Sequence, residues 1–429
     1  MNEELLYHIW KYQLFDHDKL RIGAERLQVL HPGQRNNDSG PDFFNARIRI
    51  GTTTWAGNVE IHVNSSDWHR HQHHLDKAFD NVVLHVVYNH DYLGDTGVGK
   101  IPALELKRRI SPHLLKRYDY LRSNEDFIPC ENMIGQVNEF TLTHWAGRMA
   151  MERVEEKAGY ILSVLRQNRY DWSETFYQQL ARNFGFNVNA FAFEQLARSL
   201  SLRVLGKHKN NLFQLEALLY GQAGLLKPEY QDEYPQKLRK EYQFLKQKYG
   251  LQPLPGQMWK MMRMRPANFP TIRIAQFAQV VSQSTHLFTK ILEVKEPKEV
   301  MQHFKVAASE YWDTHYSFGN PSARKTKKKT GDTAVKTIII NTIAPFLFAH
   351  GNAKKSLEHR ERALSLLEHM KPEGNRILRK FEELGVPNGT ASDSQALLHL
   401  KKEYCDKVRC LQCAIGNKLL HLSINEATG

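Results

Sequence analysis

The chain has 429 residues, of which 41% are hydrophobic and 24% charged, ordinary values for a globular protein with enough chain for two or three domains. Lys and Arg outnumber Asp and Glu by 59 to 46, a formal net charge of +13 that favours polyanionic partners, nucleic acid ahead of a membrane surface. Four cysteines in this length exclude a disulfide scaffold, the start Met1-Asn2-Glu3-Glu4 does not read as a signal peptide, and the run from Ile338 to Ala349 is too short and interrupted to span a bilayer. The expectation is a cytoplasmic protein without a membrane partner.

Leu5, Leu6, Ile9, Trp10 and Leu14 recur at helical spacing, so the chain is expected to open on a helix. Residues 31–41 are dense in turn formers. Ala46, Ile48 and Ile50 then alternate with Arg47 and Arg49, and Val59, Ile61 and Val63 alternate with Glu60 and His62. This is the period of two half-buried strands, joined as a hairpin by Gly51-Thr52-Thr53-Thr54. Asn64-Ser65-Ser66-Asp67 reads as the cap of a helix running to about Asp80, and Val82–Tyr88 as a strand covered on both faces. A loop is expected over residues 95–100 and an edge strand over Ile101–Leu106. From about residue 135 helical periods dominate, over 143–165, 175–205, 212–226, 234–249, 274–294, 356–369 and 375–384, with a breaker at Lys371-Pro372-Glu373-Gly374. Thr337–Ile340 is the exception that reads as a strand, and Ser322–Gly331 is a basic loop. The expected architecture is an α/β domain over 1–130, a small mixed sheet flanked by helices, followed by a large all-α domain over 131–429.

Residues two apart on a strand share a face, so Glu60 and His62 project together, and Asp42, at the start of the preceding strand, can converge on them. Two carboxylates beside a basic group suit a divalent ion and an activated water. Asp42, Glu60 and the Ile61 carbonyl would hold Mg²⁺ or Mn²⁺, with His62 orienting or deprotonating the water; the imidazole leans the ion towards Mn²⁺ or Zn²⁺. The run Gly40-Pro41-Asp42-Phe43 with Val59-Glu60-Ile61-His62 resembles the PD-(D/E)XK nuclease core. Pro41-Asp42 matches its first element and Glu60-Ile61 its second, with His62 standing where that family has Lys. The resemblance implies a restriction-endonuclease-like fold for the first part and Asp42, Glu60 and His62 as catalytic residues. The chain also resembles, over nearly its whole length, an uncharacterised bacterial family known only as a domain of unknown function. That likeness is carried by the same two runs, Ser66-Asp67-Trp68-His69, Leu84-His85-Val86-Val87, Asn268–Arg273 and the Cys-rich end.

Three further clusters carry chemistry. Asp67–Asp76 holds four histidines; on a helix His69 and His73 have the i, i+4 spacing of a two-histidine metal site, and the competing reading is an exposed polar helix. His85, alone in an apolar strand, reads first as a core histidine. Cys405-x₄-Cys410-x₂-Cys413 is spaced to grip zinc or an iron–sulfur cluster, with Cys130, His399 or His421 as fourth ligand, against a reading as free buried thiols. One distant cysteine plus three clustered ones resembles the iron–sulfur staple of some helicase-associated nucleases, with different spacing. Arg263, Arg265 and Arg273 with Trp259 and Phe269 mix guanidinium forks and stacking surfaces, as phosphate tracking requires, or else form a Met-rich core helix ending at a proline turn. Arg47 or Arg49, Trp68 and the Arg263–Arg273 segment are expected to border the same nucleic-acid groove as Glu60. The leading expectation is metal-dependent hydrolysis of nucleic-acid phosphodiesters. The rivals are a catalytically inactive nucleic-acid or protein-binding scaffold, and a His-rich metallohydrolase of a small substrate built on Glu60, His62, His69 and His73.

Overall fold

The computed structural model describes residues 1–36, 38–92, 101–283, 287–293 and 296–422. The loop expected over 95–100 and the end of the helical period at Val294 lie outside these described residues. The chain divides into two compact units, Met1–Trp145 joined by the segment from Leu400 onward, and Ala146–His399.

The first unit opens on α1 (Glu3–Lys11), which starts where the Asn2 side-chain oxygen accepts the Leu5 N–H at 3.0 Å and buries Leu5, Leu6, Ile9 and Trp10. Its strands are β1 (Arg21–Ile22), β2 (Glu25–His31), β3 (Gln34–Arg35), β4 (Phe43–Ile50), β5 (Thr53–Asn64), β6 (Val82–Asn89) and β7 (Ala103–Glu105). They form a mixed sheet in the order β1-β2-β4-β5-β6-β7, with β3 paired to β4. The β2-β4-β5 part is antiparallel and the β5-β6-β7 part parallel, as expected for a mixed α/β sheet. The β4–β5 hairpin reverses at Gly51, whose φ of +58° suits a residue without Cβ.

The parallel β5–β6 pair needs a crossover, and residues 65–81 supply it. The helix expected to reach Asp80 is a single turn, α2 (Asp67–Arg70). Gln72 takes a left-handed φ of 60°, and short 3₁₀ turns follow at His73–Leu75 and Lys77–Phe79. Only Trp68 and Phe79 of this segment are buried apolar anchors and Leu75 is exposed, so no apolar stripe holds a longer helix down. Asp76 instead caps the second 3₁₀ turn by accepting the Ala78 N–H at 2.9 Å.

Residues 131–145 and those from 400 on, grouped by the sequence reading with the helical part, belong to the first unit. The helix Ala414–His421 packs on α3 (Pro112–Ser123) and on the 3₁₀ turn Ile134–Gln136. In the second unit, helices including Trp172–Phe184, Phe186–Ser199, Leu212–Gln222, Glu233–Tyr249, Pro270–Gln283 and Leu357–Glu368 enclose one core built on Phe184, Phe193, Phe277, Trp312 and Phe346. Thr337–Ile340 is helical rather than a strand. It lies within Asp332–Lys354, a stretch long and apolar enough to cross a bilayer by length and composition, of which 83% of the most apolar window is buried inside the unit. A short apolar run reads alike for a core strand and a core helix, and here burial all round selected the helix, with a π-turn at Ile339–Ile343. Glu216 is fully buried in this core, where it accepts the Tyr234 hydroxyl and the Ser309 hydroxyl, the latter at 3.1 Å.

Candidate metal and catalytic site

Strand alternation and register assemble the site. Glu60 and His62 share a face of β5, and the parallel register sets His85 of β6 beside Glu60, so all three side chains stand on one side of the sheet. The β4–β5 register shifts between Phe43 and Ala46, where Asn45 has a φ of +57°. Just before that irregularity Asp42 is tied to β5 twice. Its N–H donates to Glu60 Oε2 at 3.1 Å, and its Oδ2 accepts the Ile61 N–H at 3.0 Å. The two carboxylates thus meet at one corner, as the hairpin reading expected. Arg35, within the turn-rich stretch 31–41, donates to Asp42 Oδ1 at 2.7 Å and lies over the Tyr7 ring at 3.7 Å.

The left-handed turn at Gln72 carries His73 back over the sheet. Its Nε2 lies 3.3 Å from Glu60 Oε1, and His62 Nε2 lies 3.5 Å from the same oxygen. His71 Nδ1 stands 3.2 Å from His62 Nε2, and one ligand atom from each of His62, His71 and His73 falls within 4.8 Å of the others. Behind them His85 Nε2 is 2.9 Å from His62 Nδ1, while His85 Nδ1 is buried without a partner. Trp68 walls the cluster, its ring 5.5 Å from His73 and 5.3 Å from His85. His69 does not join: with the helix ended at Arg70 the i, i+4 relation to His73 is lost, and His69 packs against the rings of His74 and Tyr92. His71 takes its place in the cluster, and His85 supports His62 from behind. His71 sits just past the end of the single turn α2, so helical spacing could not identify it.

Burial governs the charge state. Desolvation, and then the charge of Asp42, pushes the Glu60 carboxyl up to about 9. Desolvation also lifts Asp42 above its usual range, outweighing the Arg35 ion pair. The same effect, reinforced by neighbouring imidazoles, lowers His62 to about 2, His85 to about 3 and His73 to about 4. Neutral imidazoles with free lone pairs beside carboxyls that a cation would ionise are a donor set that fits a divalent transition metal.

Around the site the expected binding residues divide. Arg47 and Arg49 are exposed and pair with Ala56 and Thr54, so alternation puts them on the Glu60 face, about 13 and 20 Å along the strand. Trp68 is buried and cannot stack on a base. Arg263 and Arg265 are exposed in the second unit. Arg273 is a core residue: it donates to Gln276 and Asn268 and covers the Phe186 ring, so it has no guanidinium face left for phosphate. Trp259 is likewise buried, donating its indole N–H to the Ala223 carbonyl at 2.8 Å. Instead, a cavity of about 730 Å³ in the first unit is lined by Tyr7, His8, Lys11, Arg35, Lys418 and His421, and Arg35 links it to Asp42.

Cys130, Cys405, Cys410 and Cys413 are all free thiols of the first unit. Burial, and then the charge of Cys413, raises Cys410 to about 12, and Cys130 and Cys405 also feel the other cysteines. Among the described residues the three imidazoles are the one group of three or more whose ligand atoms all lie within 4.8 Å of one another; no three of the thiols meet that limit. His421 packs on His8 and Tyr12, and His399 lies in the second unit 3.5 Å from Glu152.

Fold and site together define a two-unit protein whose mixed sheet carries a buried carboxylate–histidine cluster. The chain belongs to the family described as a protein of unknown function (DUF2851), whose model matches residues 3–376. The match covers the site and ends before the cysteines at 405–413. No curated protein and no solved structure matches the chain.

Proposed function

We propose that this protein is a metal-dependent phosphodiesterase acting on nucleic acid. The observation that carries the reading is the meeting of Asp42 and Glu60 with His62, His71 and His73 at one corner of the sheet, next to a cavity edged by Lys11, Arg35 and Lys418. Glu60 Oε1 and the three imidazoles would hold a divalent ion, which when bound supplies a Lewis acid for the charge that develops on a phosphoryl group. Asp42 braces the site, held by Arg35 on one oxygen and by the Ile61 N–H on the other. Arg35 and the lysines of the cavity place positive charge where a phosphate backbone would lie. His85 fixes the ring of His62 from behind, so its orientation is set before substrate arrives.

A second reading has its own support. Three imidazoles are an unusual donor set for Mg²⁺ and a common one for zinc, which favours a metallohydrolase of a small substrate, with His71 in the place first given to His69. Incubation of the full chain with single- and double-stranded DNA and RNA under Mn²⁺, Zn²⁺ and Mg²⁺ separates these readings. Cleavage that disappears in Glu60→Gln, while salt-sensitive binding persists, is the expected result. Binding without cleavage by the wild type points to an inactive scaffold, and absence of both points to the small-substrate enzyme.

A further inference from the structure

We propose that Cys130, Cys405, Cys410 and Cys413 together ligate a metal centre that fastens the returning C-terminal segment onto the first unit. The four are all the cysteines in the chain, and none is in a disulfide. They arrive from two separate stretches, since the chain leaves this unit after Trp145 and re-enters it at Leu400.

Each is placed by contacts that do not involve sulfur. The Cys130 carbonyl accepts the Met133 and Ile134 N–H groups, both at 2.9 Å, which opens the 3₁₀ turn Ile134–Gln136. That turn packs on the helix Ala414–His421, which begins one residue after Cys413. Cys410 and Cys413 bracket a tight turn closed by the Cys413 N–H on the Cys410 carbonyl at 3.3 Å. Gly416 presses on this turn, where a Cβ would come within 2.4 Å of the Cys410 carbonyl oxygen. Cys405 ends the π-turn Leu400–Cys405. Its neighbour Tyr404 meets the Trp145 ring at 5.5 Å, and Lys401 lies 5.1 Å over Phe127, three residues before Cys130.

Burial raises all four thiols, and Cys130, Cys405 and Cys410 are raised further by neighbouring cysteines, so the group stays protonated until a cation enters it. At Cys413 desolvation raises the thiol most, and the backbone N–H groups of Gly416 and Ile415 act the other way. The buried indole N–H of Trp145 has no oxygen or nitrogen acceptor, and it too acts on Cys413 in the direction of the thiolate. Buried thiolates repel one another and need a cation to coexist. A single tetrahedral zinc would set the sulfurs about 3.8 Å apart. No three of the four sulfurs lie within 4.8 Å of one another, so they either draw in on one zinc or surround a larger iron–sulfur core.

The test is metal and sulfide analysis of the full chain purified without oxygen, together with its absorption spectrum. A brown protein with iron and acid-labile sulfide supports the centre as a cluster, and a colourless protein with one zinc per chain supports it as a zinc site. In either case Glu60→Gln retains the metal whereas Cys410→Ser and Cys413→Ser lose it, which separates this centre from the carboxylate–histidine site. Wild-type protein with neither metal above trace, and four thiols that react with a thiol reagent as soon as the chain is unfolded in the absence of chelator and metal, overturns the proposal. Because the wild type alone decides that outcome, a cysteine variant that fails to fold leaves the proposal falsifiable.

Discussion

His62 Nδ1 lies 2.9 Å from Nε2 of His85, both rings buried, so one imidazole donates to the other and His62 cannot turn independently. For His62 to offer its Nε2 lone pair to a metal, its Nδ1 must carry the proton and donate it to His85 Nε2. In the proposed metal site this arrangement would be an outer-shell brace, whose removal would act on ion binding through His62. His85→Gln is expected to weaken divalent-ion affinity by about 10- to 100-fold, the usual cost of losing such a partner. Competition titration with a chromogenic chelator reads the change, and an unaltered affinity would show that His62 is not a ligand.

Arg35 is the cation facing Asp42, whose side chain is 14% exposed against 28% for Arg35. Arg35→Gln leaves a largely buried carboxylate without its partner. Allowing for partial solvent screening, it should lower stability by about 1–3 kcal/mol at neutral pH. Arg35→Lys should lose less, because an ammonium still offsets the charge but cannot lie flat over Tyr7. Urea denaturation of the three proteins gives the order.

Gly57 sits where β5 meets the start of β6. A Cβ there would lie 2.4 Å from Val83 Cγ1 and 2.6 Å from the Asn81 carbonyl oxygen. Gly57→Ala must push β6 outward, at about 1–3 kcal/mol. Since the β5–β6 register sets His85 beside Glu60, metal affinity should fall with it. Thermal unfolding with and without Mn²⁺ checks both effects, and a silent substitution would mean the strands have room to separate.

Glu216 tests the second unit by itself. Burial raises its pKa from 4.5 to about 7, so between these values the folded chain holds a proton that the unfolded chain has released. Its contribution is therefore fully present below about pH 4.5 and is lost as pH rises to about 7. Glu216→Gln removes this slope: relative to wild type the variant should gain about 3 kcal/mol between pH 4 and pH 8. The difference between the two proteins is the readout, because other groups titrate in both. A constant difference across that range would show that Glu216 stays ionised in the core.

Much of the first unit was legible in local pattern. The alternation around Glu60 and His62, the turn at Gly51 and the β-branched run of β6 determined strands, their faces and the convergence of Asp42 on Glu60, because strand period and turn chemistry are properties of short windows. The helical texture after residue 135 was legible for the same reason. Long-range packing decided the rest. The histidine set depended on where α2 stops, which is fixed by how little apolar surface the crossover can bury, so His71 replaced His69. Arg273 looked like a phosphate ligand in sequence and became a core residue, because burial depends on the neighbours that tertiary contacts supply. The same holds for Cys130 and the three cysteines near the C-terminus: spacing shows that they can bind a metal, and only a chain that re-enters its first unit brings both groups into the same unit.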